Sequence, residues 1–209
     1  MITRKMIEQA TTLSVWNKGN GVLYDMCSRY PTHNADDEII AKIWLIGRSY
    51  AAAIERRKQK SDEDGDGFYT NNVAPMIRKS KIDHFLEPLK GYRKITADNF
   101  EEIMTVHLYV TDLFNKISGL DKRSLASKYL HFHYPMMFFI YDSRACNGIR
   151  KFSSITGRAS KTTDALADNE YRKFSEKCLA LRCHIKEKFG ESLKPREIDN
   201  LLLFAEKSL

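Results

Sequence analysis

Residues 114–147 read FNKISGLDKRSLASKYLHFHYPMMFFIYDSRACN. The spacing of apolar residues predicts that a helix ends near Lys116 and that residues 117–121, which include Gly119, form a tight hairpin. A second helix is expected from about Arg123 to His133, because a proline two residues further on cannot continue it. The segment therefore predicts two helices joined by a short turn.

An apolar stretch follows the second predicted helix. Residues 134–141 are mostly apolar or aromatic, and we expect them to be extended. Asp142 comes directly after this stretch and is expected to begin the next element, together with Ser143 and Arg144. Because aspartate is a favoured residue at helix N-termini, the simplest interpretation of Asp142 is a helix cap.

The order of Gly119-Leu120, a helix, residues 134–141 and Asp142 resembles the helix-hairpin-helix DNA glycosylases, specifically their 8-oxoguanine glycosylase/lyase branch. The blocks 126–132 (ASKYLHF) and 140–143 (IYDS) are also similar to bacterial glycosylase-like proteins of phage-defence loci. The resemblance implies a helix-hairpin-helix glycosylase-like helical domain that excises or recognises an everted, modified purine base. It implies DNA as the partner, together with other defence-system proteins.

The resemblance also implies catalytic residues. The family uses a carboxylate to stabilise the positive charge that develops on the sugar, and here that carboxylate is Asp142. It uses a lysine to attack the anomeric carbon and form a Schiff base, which implies Lys128 or Lys122. Only a neutral amine can attack, so the lysine needs burial or a neighbouring cation that lowers its pKa. Lys128 has apolar neighbours and Lys122 follows the hairpin; the alternative for Lys128 is a surface amine that reaches water.

Other residues are candidates for contacting DNA. The expected phosphate contacts are Gly119 in the hairpin, Arg123, Arg144, Arg150 and Lys151. The basic run continues to Arg158 and Lys161, and a solvated surface is an equally good interpretation of it. The expected pocket for an everted base consists of Trp44, Tyr50, His131 and Tyr141. Core packing is the alternative for these aromatic residues, and His131 and His133 point in different directions on a helix, which argues against a metal pair.

The rest of the chain also has helical spacing, so we predict an all-α fold. Helices are expected over 2–13, after a break at 17–21, over 36–58, 96–114 and 168–189, and from Pro195 onward. Residues 61–67 are expected to form an acidic loop that matches only the first half of a calcium-binding loop. We expect one helical domain over 1–209, or two lobes, with the hairpin and the active-site cleft formed around 96–147.

The composition limits the class of protein. The net charge of +7 and the pI near 9.1 favour a polyanionic partner. No apolar run is long enough for a bilayer and the first residues lack the apolar stretch of a secretory signal, so we expect a cytoplasmic protein without a membrane partner. The four cysteines are scattered and are expected to be reduced, and neither a metal nor another cofactor is expected.

Three functions are consistent with the sequence. The first is a DNA N-glycosylase, with or without AP-lyase activity through a lysine Schiff base. The second is a catalytically inactive glycosylase-fold module that binds nucleic acid, a nucleobase or a nucleotide in an anti-phage defence system. The third is a helical interaction protein of a defence or toxin–antitoxin system, whose basic charge serves an acidic partner.

Overall fold

Helices account for most of the described chain. The computed structural model describes residues 2–12, 15–56, 65–157 and 167–208. Within those ranges it contains no β-strand, and the predicted all-α fold is confirmed.

The N-terminal region contains α1 (Arg4–Thr11), α2 (Val15–Arg29) and α3 (Asp36–Ser49). Short helical turns follow, namely α4 (Asp66–Phe68), a π-helical turn (Tyr69–Val73), α5 (Ala74–Arg78), α6 (Ile82–Leu86) and a 3₁₀ turn (Glu87–Gly91). The central helices are α7 (Phe100–Ser118) and α8 (Arg123–His133). The C-terminal region contains α9 (Ser143–Arg150), α10 (Ser153–Thr156), α11 (Asn169–Phe189) and α12 (Pro195–Ser208).

The two central helices and the turn between them lie where the sequence predicts them. Gly119 follows the last residue of α7 and has a left-handed backbone, with φ at 72°. Glycine adopts this conformation without the steric cost that a Cβ brings. Its N–H donates to the Asn115 carbonyl at 2.7 Å and so closes α7. α8 then covers Arg123–His133, the range predicted from the sequence.

α8 lies in the core of the protein. Every residue from Leu125 to Phe132 is buried, and the helix contacts α2, α3 and α7. Ser127, Lys128 and His131 are polar members of this buried stretch. Their polar atoms therefore need partners from inside the protein.

α9 packs closely against α12, and Gly148 makes this contact sterically possible. A Cβ added at Gly148 would lie 2.2 Å from the Leu202 carbonyl oxygen, well inside van der Waals contact. Asp142 is the N-cap residue of α9, and its side chain accepts a hydrogen bond from the Ala145 N–H. The close approach at Gly148 therefore fixes Asp142 relative to α12.

The break predicted at residues 17–21 is wrong, because this stretch lies inside α2. A Cβ added at Gly19 or Gly21 would meet no neighbouring atom within 4 Å, so packing does not require glycine at either position. Leu23 and Cys27 on the same helix are buried. Their burial outweighs the roughly 1 kcal/mol by which each glycine disfavours a helix.

α3 ends at Ser49, although the sequence predicts a longer helix with a basic last turn at residues 56–58, of which 57 and 58 lie outside the described residues. The chain turns at Ala51, which has φ at 50°. It then returns across Gly47, where an added Cβ would lie 2.9 Å from the Ala53 Cα. The helix therefore ends where the returning chain needs the space, and the pattern alone contains no signal for that.

α7 begins at Phe100, later than the predicted start at residue 96. The Ile95 N–H donates to the Met136 carbonyl at 3.1 Å, which pairs this backbone with another segment. The Thr96 N–H donates to the Asn99 side chain at 2.8 Å. These bonds replace the first turn of the predicted helix.

The last two long helices follow their prediction. α11 is capped by Asp168 and ends at Gly190, which has φ at 77°, and α12 begins at Pro195. Residues 61–64 of the predicted acidic loop, and Arg158 and Lys161 of the basic run, lie outside the described residues. None of the described helices combines the length and the apolar character that crossing a bilayer requires.

Gly148→Ala is expected to lower the free energy of unfolding by about 1–3 kcal/mol, because the new methyl group must push α9 away from α12. Gly19→Ala is the matched control, since Gly19 is also helical but has open space around it. It should raise the stability by up to about 1 kcal/mol. Urea denaturation of both variants measures the two changes, and a neutral Gly148→Ala would contradict the proposed constraint.

Candidate functional site

Lys128 and Asp142 form an ion pair in the structure. The Lys128 Nζ lies 3.2 Å from the Asp142 Oδ2. It also donates to the Ser124 Oγ at 2.8 Å and to the Tyr141 carbonyl at 3.1 Å. The Lys128 side chain is 1% exposed, whereas that of Asp142 is 30% exposed. The amine is thus buried and fully hydrogen-bonded, and the carboxylate is the part of the pair that solvent reaches.

The local sequence explains why the two groups meet. Lys128 lies in the middle of α8, and Asp142 caps α9 with the extended residues 134–141 between them. The Ser127 Oγ accepts a hydrogen bond from the Tyr141 N–H at 3.0 Å and holds the end of this segment against α8. The Asp142 Oδ1 accepts from the Ala145 N–H at 2.9 Å, which turns the other carboxylate oxygen towards the amine.

Burial governs the charge of Lys128. Removal from water lowers the pKa of Lys128, while the negative charges of Asp142 and Asp199 and the hydrogen bond to Asp142 act in the opposite direction. Lys128 therefore loses its proton to form the neutral amine more readily than a surface lysine does. The alternative interpretation of Lys128 as a surface amine is wrong, since its side chain is buried.

Two further charged residues, Arg196 and Asp199 on α12, lie beside this pair. The Arg196 Nη1 donates to the Asp199 Oδ2 at 3.0 Å. Burial raises the pKa of Asp199 to about 6, against the opposing effect of Arg196, and the nearby Asp142 raises it further. The Arg196 Nη2 and the Asp199 Oδ1 are buried and have no hydrogen-bond partner among the described residues. A donor and an acceptor are thus unsatisfied close to Lys128.

A chain of hydrogen bonds connects Arg196 to His131. The Arg196 Nε donates to the Tyr24 hydroxyl at 3.3 Å, and that hydroxyl lies 2.7 Å from the His131 Nε2. The His131 Nδ1 lies 2.8 Å from the Phe138 carbonyl, which can only accept. His131 therefore carries its proton on Nδ1, and Tyr24 donates to Nε2. Burial lowers the pKa of His131 far below its ordinary value, so the imidazole is neutral.

Tyr50 completes the surroundings of the amine. Its ring centroid lies 5.9 Å from the Lys128 Nζ and 5.5 Å from the Arg196 guanidinium carbon. The Tyr50 hydroxyl donates to the Asn20 Oδ1 at 2.5 Å. Burial raises the pKa of Tyr50 to about 12, so the phenol is neutral near pH 7. Of the predicted base-pocket residues, Tyr50 is thus brought to the Lys128 amine, and His131 is linked through Tyr24 to Arg196.

The other candidate nucleophile, Lys122, lies in a different environment. Its Nζ donates to the Arg56 carbonyl at 2.5 Å. Lys122 lines a cavity of about 290 Å³, to which Ser124 and the turn at residues 51–53 also contribute. Ser124 thus belongs both to the lining of this cavity and to the hydrogen-bond partners of Lys128.

The two other base-pocket candidates lie apart from this cluster or at its edge. Trp44 lines a separate cavity of about 270 Å³ together with Ile40 and Tyr69. None of these three residues is among the hydrogen-bond partners of Lys128 given above. Tyr141 precedes Asp142, and its ring lines a third cavity, of about 460 Å³. The structure thus separates Trp44 from Tyr50, although both were expected on one long helix.

The predicted phosphate contacts have unequal surroundings. Arg123 pairs with Asp168 at 2.5 Å, and Arg144 pairs with Glu206 at 3.3 Å, so both charges are already compensated. The Arg150 Nη1 donates to the Asn147 side chain at 3.1 Å, and Lys151 is exposed. Unlike Arg123 and Arg144, neither Arg150 nor Lys151 has a carboxylate partner among the described residues.

Sequence reasoning missed Arg196, Asp199 and Tyr24. Arg196 and Asp199 are three residues apart on α12 and adjoin its apolar stripe. A charged pair at the edge of an apolar face is the signal that identifies such positions. Tyr24 lies on α2, the helix in which a break was predicted.

Comparison of the chain with family models, with curated proteins and with solved structures found no match.

The pH dependence of stability should reveal the buried Asp199. Its pKa in the folded state is about 6, above the ordinary 3.8, so the folded state holds a proton that the unfolded state has released. Stability from this group is therefore present below pH 4 and lost as pH rises through about 6. Between these limits we expect the free energy of unfolding of the wild type to fall by roughly 3 kcal/mol relative to that of Asp199→Asn.

Urea denaturation of both proteins from pH 4 to pH 7 measures this difference. Asp98→Asn serves as the control, because Asp98 is exposed. The free energy of unfolding of this variant should change with pH as that of the wild type does. A difference between wild type and Asp199→Asn that is the same at every pH would contradict the assignment.

Proposed function

We propose that the chain is a cytoplasmic DNA N-glycosylase-like protein that acts on an everted, modified purine base. The observation that carries this proposal is the contact between a buried amine and a partly exposed carboxylate, Lys128 and Asp142, at 3.2 Å. An amine and a carboxylate are the two groups that cleavage of an N-glycosidic bond with Schiff-base formation requires. The helix–turn–helix arrangement of α7 and α8, which delivers Lys128, also supports the proposal.

Asp142 is the group that stabilises the transition state in this proposal. As the bond between the sugar and the base breaks, positive charge develops on the sugar ring. A fixed carboxylate beside that ring lowers the energy of this charge, and it does so more effectively where water is excluded. The α9 N-terminus and Lys128 hold the carboxylate in place, so it needs no reorganisation during the reaction.

Lys128 is the nucleophile in this proposal. Its neutral Nζ forms a bond to the anomeric carbon while the bond from that carbon to the base breaks, and the base leaves with the electron pair and takes up a proton. Loss of the nitrogen proton and opening of the sugar ring then give the Schiff base. Before it attacks, Nζ must lose a proton and break at least one of its three hydrogen bonds. The lowered pKa of Lys128 favours the first of these steps.

The groups around the pair have the hydrogen-bonding and aromatic chemistry that recognises a base. The Arg196 Nη2 and the Asp199 Oδ1 offer one donor and one acceptor to its polar edge. The Tyr50 ring lies near both the amine and the guanidinium, and it provides an aromatic surface. DNA is then the partner, which the net charge of +7 also favours, and other proteins of an anti-phage defence system are further partners in this proposal.

The second candidate function is a catalytically inactive module that binds nucleic acid or a nucleobase. The observation in its favour is the saturation of the Lys128 ammonium: its three donors have three acceptors, and the side chain is 1% exposed. In this function Lys128 positions Asp142 and residues 134–141 and never attacks a substrate.

Borohydride trapping on a duplex that contains 8-oxoguanine distinguishes the two candidates. If Lys128 is the nucleophile, the wild type should give a covalent adduct that Lys128→Gln loses and Lys122→Gln retains. Asp142→Asn should slow base release by about 100-fold or more, because it removes the charge that stabilises the transition state.

Thermal unfolding of each variant is the control for folding, since Lys128→Gln removes a buried ion pair. A second modified purine and an undamaged duplex should be tested in parallel. Salt-dependent DNA binding without base release or an adduct, unchanged in Lys128→Gln and Asp142→Asn, would reject the glycosylase and support the inactive module.

A further inference from the structure

A cavity of about 460 Å³ lies between α9 and α11. We call it the α9–α11 cavity. Tyr141, the residue before Asp142, lines it at one end, and Arg150, the last residue of α9, lines it at the other. A cavity of this size accommodates one nucleotide. It uses no atom of the Lys128–Asp142 pair and is therefore a separate site beside it.

One wall of the cavity is aromatic. The Tyr141 ring is half-buried and packs edge-on against the buried Phe174, with centroids 5.2 Å apart and an angle of 85°. Phe174 therefore holds the Tyr141 ring in one orientation. Burial raises the pKa of Tyr141 to about 12, so its hydroxyl is uncharged and does not repel an anion. A fixed, neutral ring of this kind is a surface on which a base can stack.

The other wall is basic. Lys173 and Lys177 lie one turn apart on α11 and line the cavity opposite Arg150. The acidic Glu170 lies on the same wall and pairs with Lys173 at 3.5 Å. Neither Arg150 nor Lys177 has a carboxylate partner in the described part of the chain, so their charges are free to compensate a phosphate.

We infer that the α9–α11 cavity binds one nucleotide of a single-stranded nucleic acid, next to the nucleotide whose sugar lies beside Asp142. The base stacks on Tyr141 and its phosphate lies between Arg150 and Lys177. The bound nucleotide must be unstacked, because the bases of an intact duplex are already stacked and cannot reach the Tyr141 ring. A duplex substrate therefore has to open beside the everted nucleotide before this cavity is filled. The inference rests on the nucleic-acid binding of the proposed function and is independent of catalysis.

Fluorescence anisotropy with a labelled oligothymidylate of about 12 nucleotides tests the inference, with a hairpin duplex of the same composition for comparison. The wild type should bind the single strand more tightly. Tyr141→Ala should weaken that binding roughly tenfold, whereas Tyr141→Phe, which keeps the ring, should bind like the wild type. Lys177→Ala should reduce the slope of log Kd against log salt by about 0.7, the value for one lost phosphate contact on a single strand.

Lys186→Ala is the matched control, because Lys186 lies on α11, is exposed and does not line the cavity. It should leave the affinity and the slope close to those of the wild type. Equal effects of Lys177→Ala and Lys186→Ala, or no effect of Tyr141→Ala, would overturn the inference even if base release is observed. Conversely, suppose that the wild type releases no base while Tyr141→Ala and Lys177→Ala still change binding as described. That result would overturn the proposed catalysis and support the inference.

Discussion

The structure depends on the burial of a helix that carries polar side chains. Ser127, Lys128 and His131 lie on α8 where water has no access, and each unpaired polar atom there would cost on the order of 1–3 kcal/mol. Their partners come from segments distant in the chain: the Tyr141 backbone for Ser127 and Lys128, and Tyr24 for His131. The candidate site is therefore also a set of bonds that hold the helices together.

A second buried network uses another side of α8. The Tyr129 hydroxyl lies 2.7 Å from the His33 Nε2, and the His33 Nδ1 lies 2.5 Å from the Asp83 carboxylate. The His133 Nδ1 donates to the Tyr129 carbonyl at 2.8 Å, and the His33 and His133 rings stack. This network attaches the turn after α2 and the start of α6 to α8. Because both networks meet on one helix, a shift of α8 is expected to disturb them together.

The sequence predicts the elements whose ends are defined locally. The bounds of α8 and the N-cap at Asp142 follow from Gly119, a proline and the capping preference of aspartate. The partner of Lys128 was found through resemblance, since no local rule links residues 14 positions apart across an extended segment. The Arg196 contact to Tyr24 joins positions 172 apart, and such a contact depends on the packing of whole helices.

The close contact of Gly148 with Leu202 has a consequence for the order of events during synthesis on the ribosome. Until α12 has emerged, α9 lacks the helix against which it packs most closely, and Asp142 lacks the neighbouring Asp199. Lys128 would then lack a carboxylate fixed in position beside it, in a loosely collapsed intermediate. Nascent chains that lack this helix should consequently be incompetent for ligand binding and preferred targets of quality-control proteases.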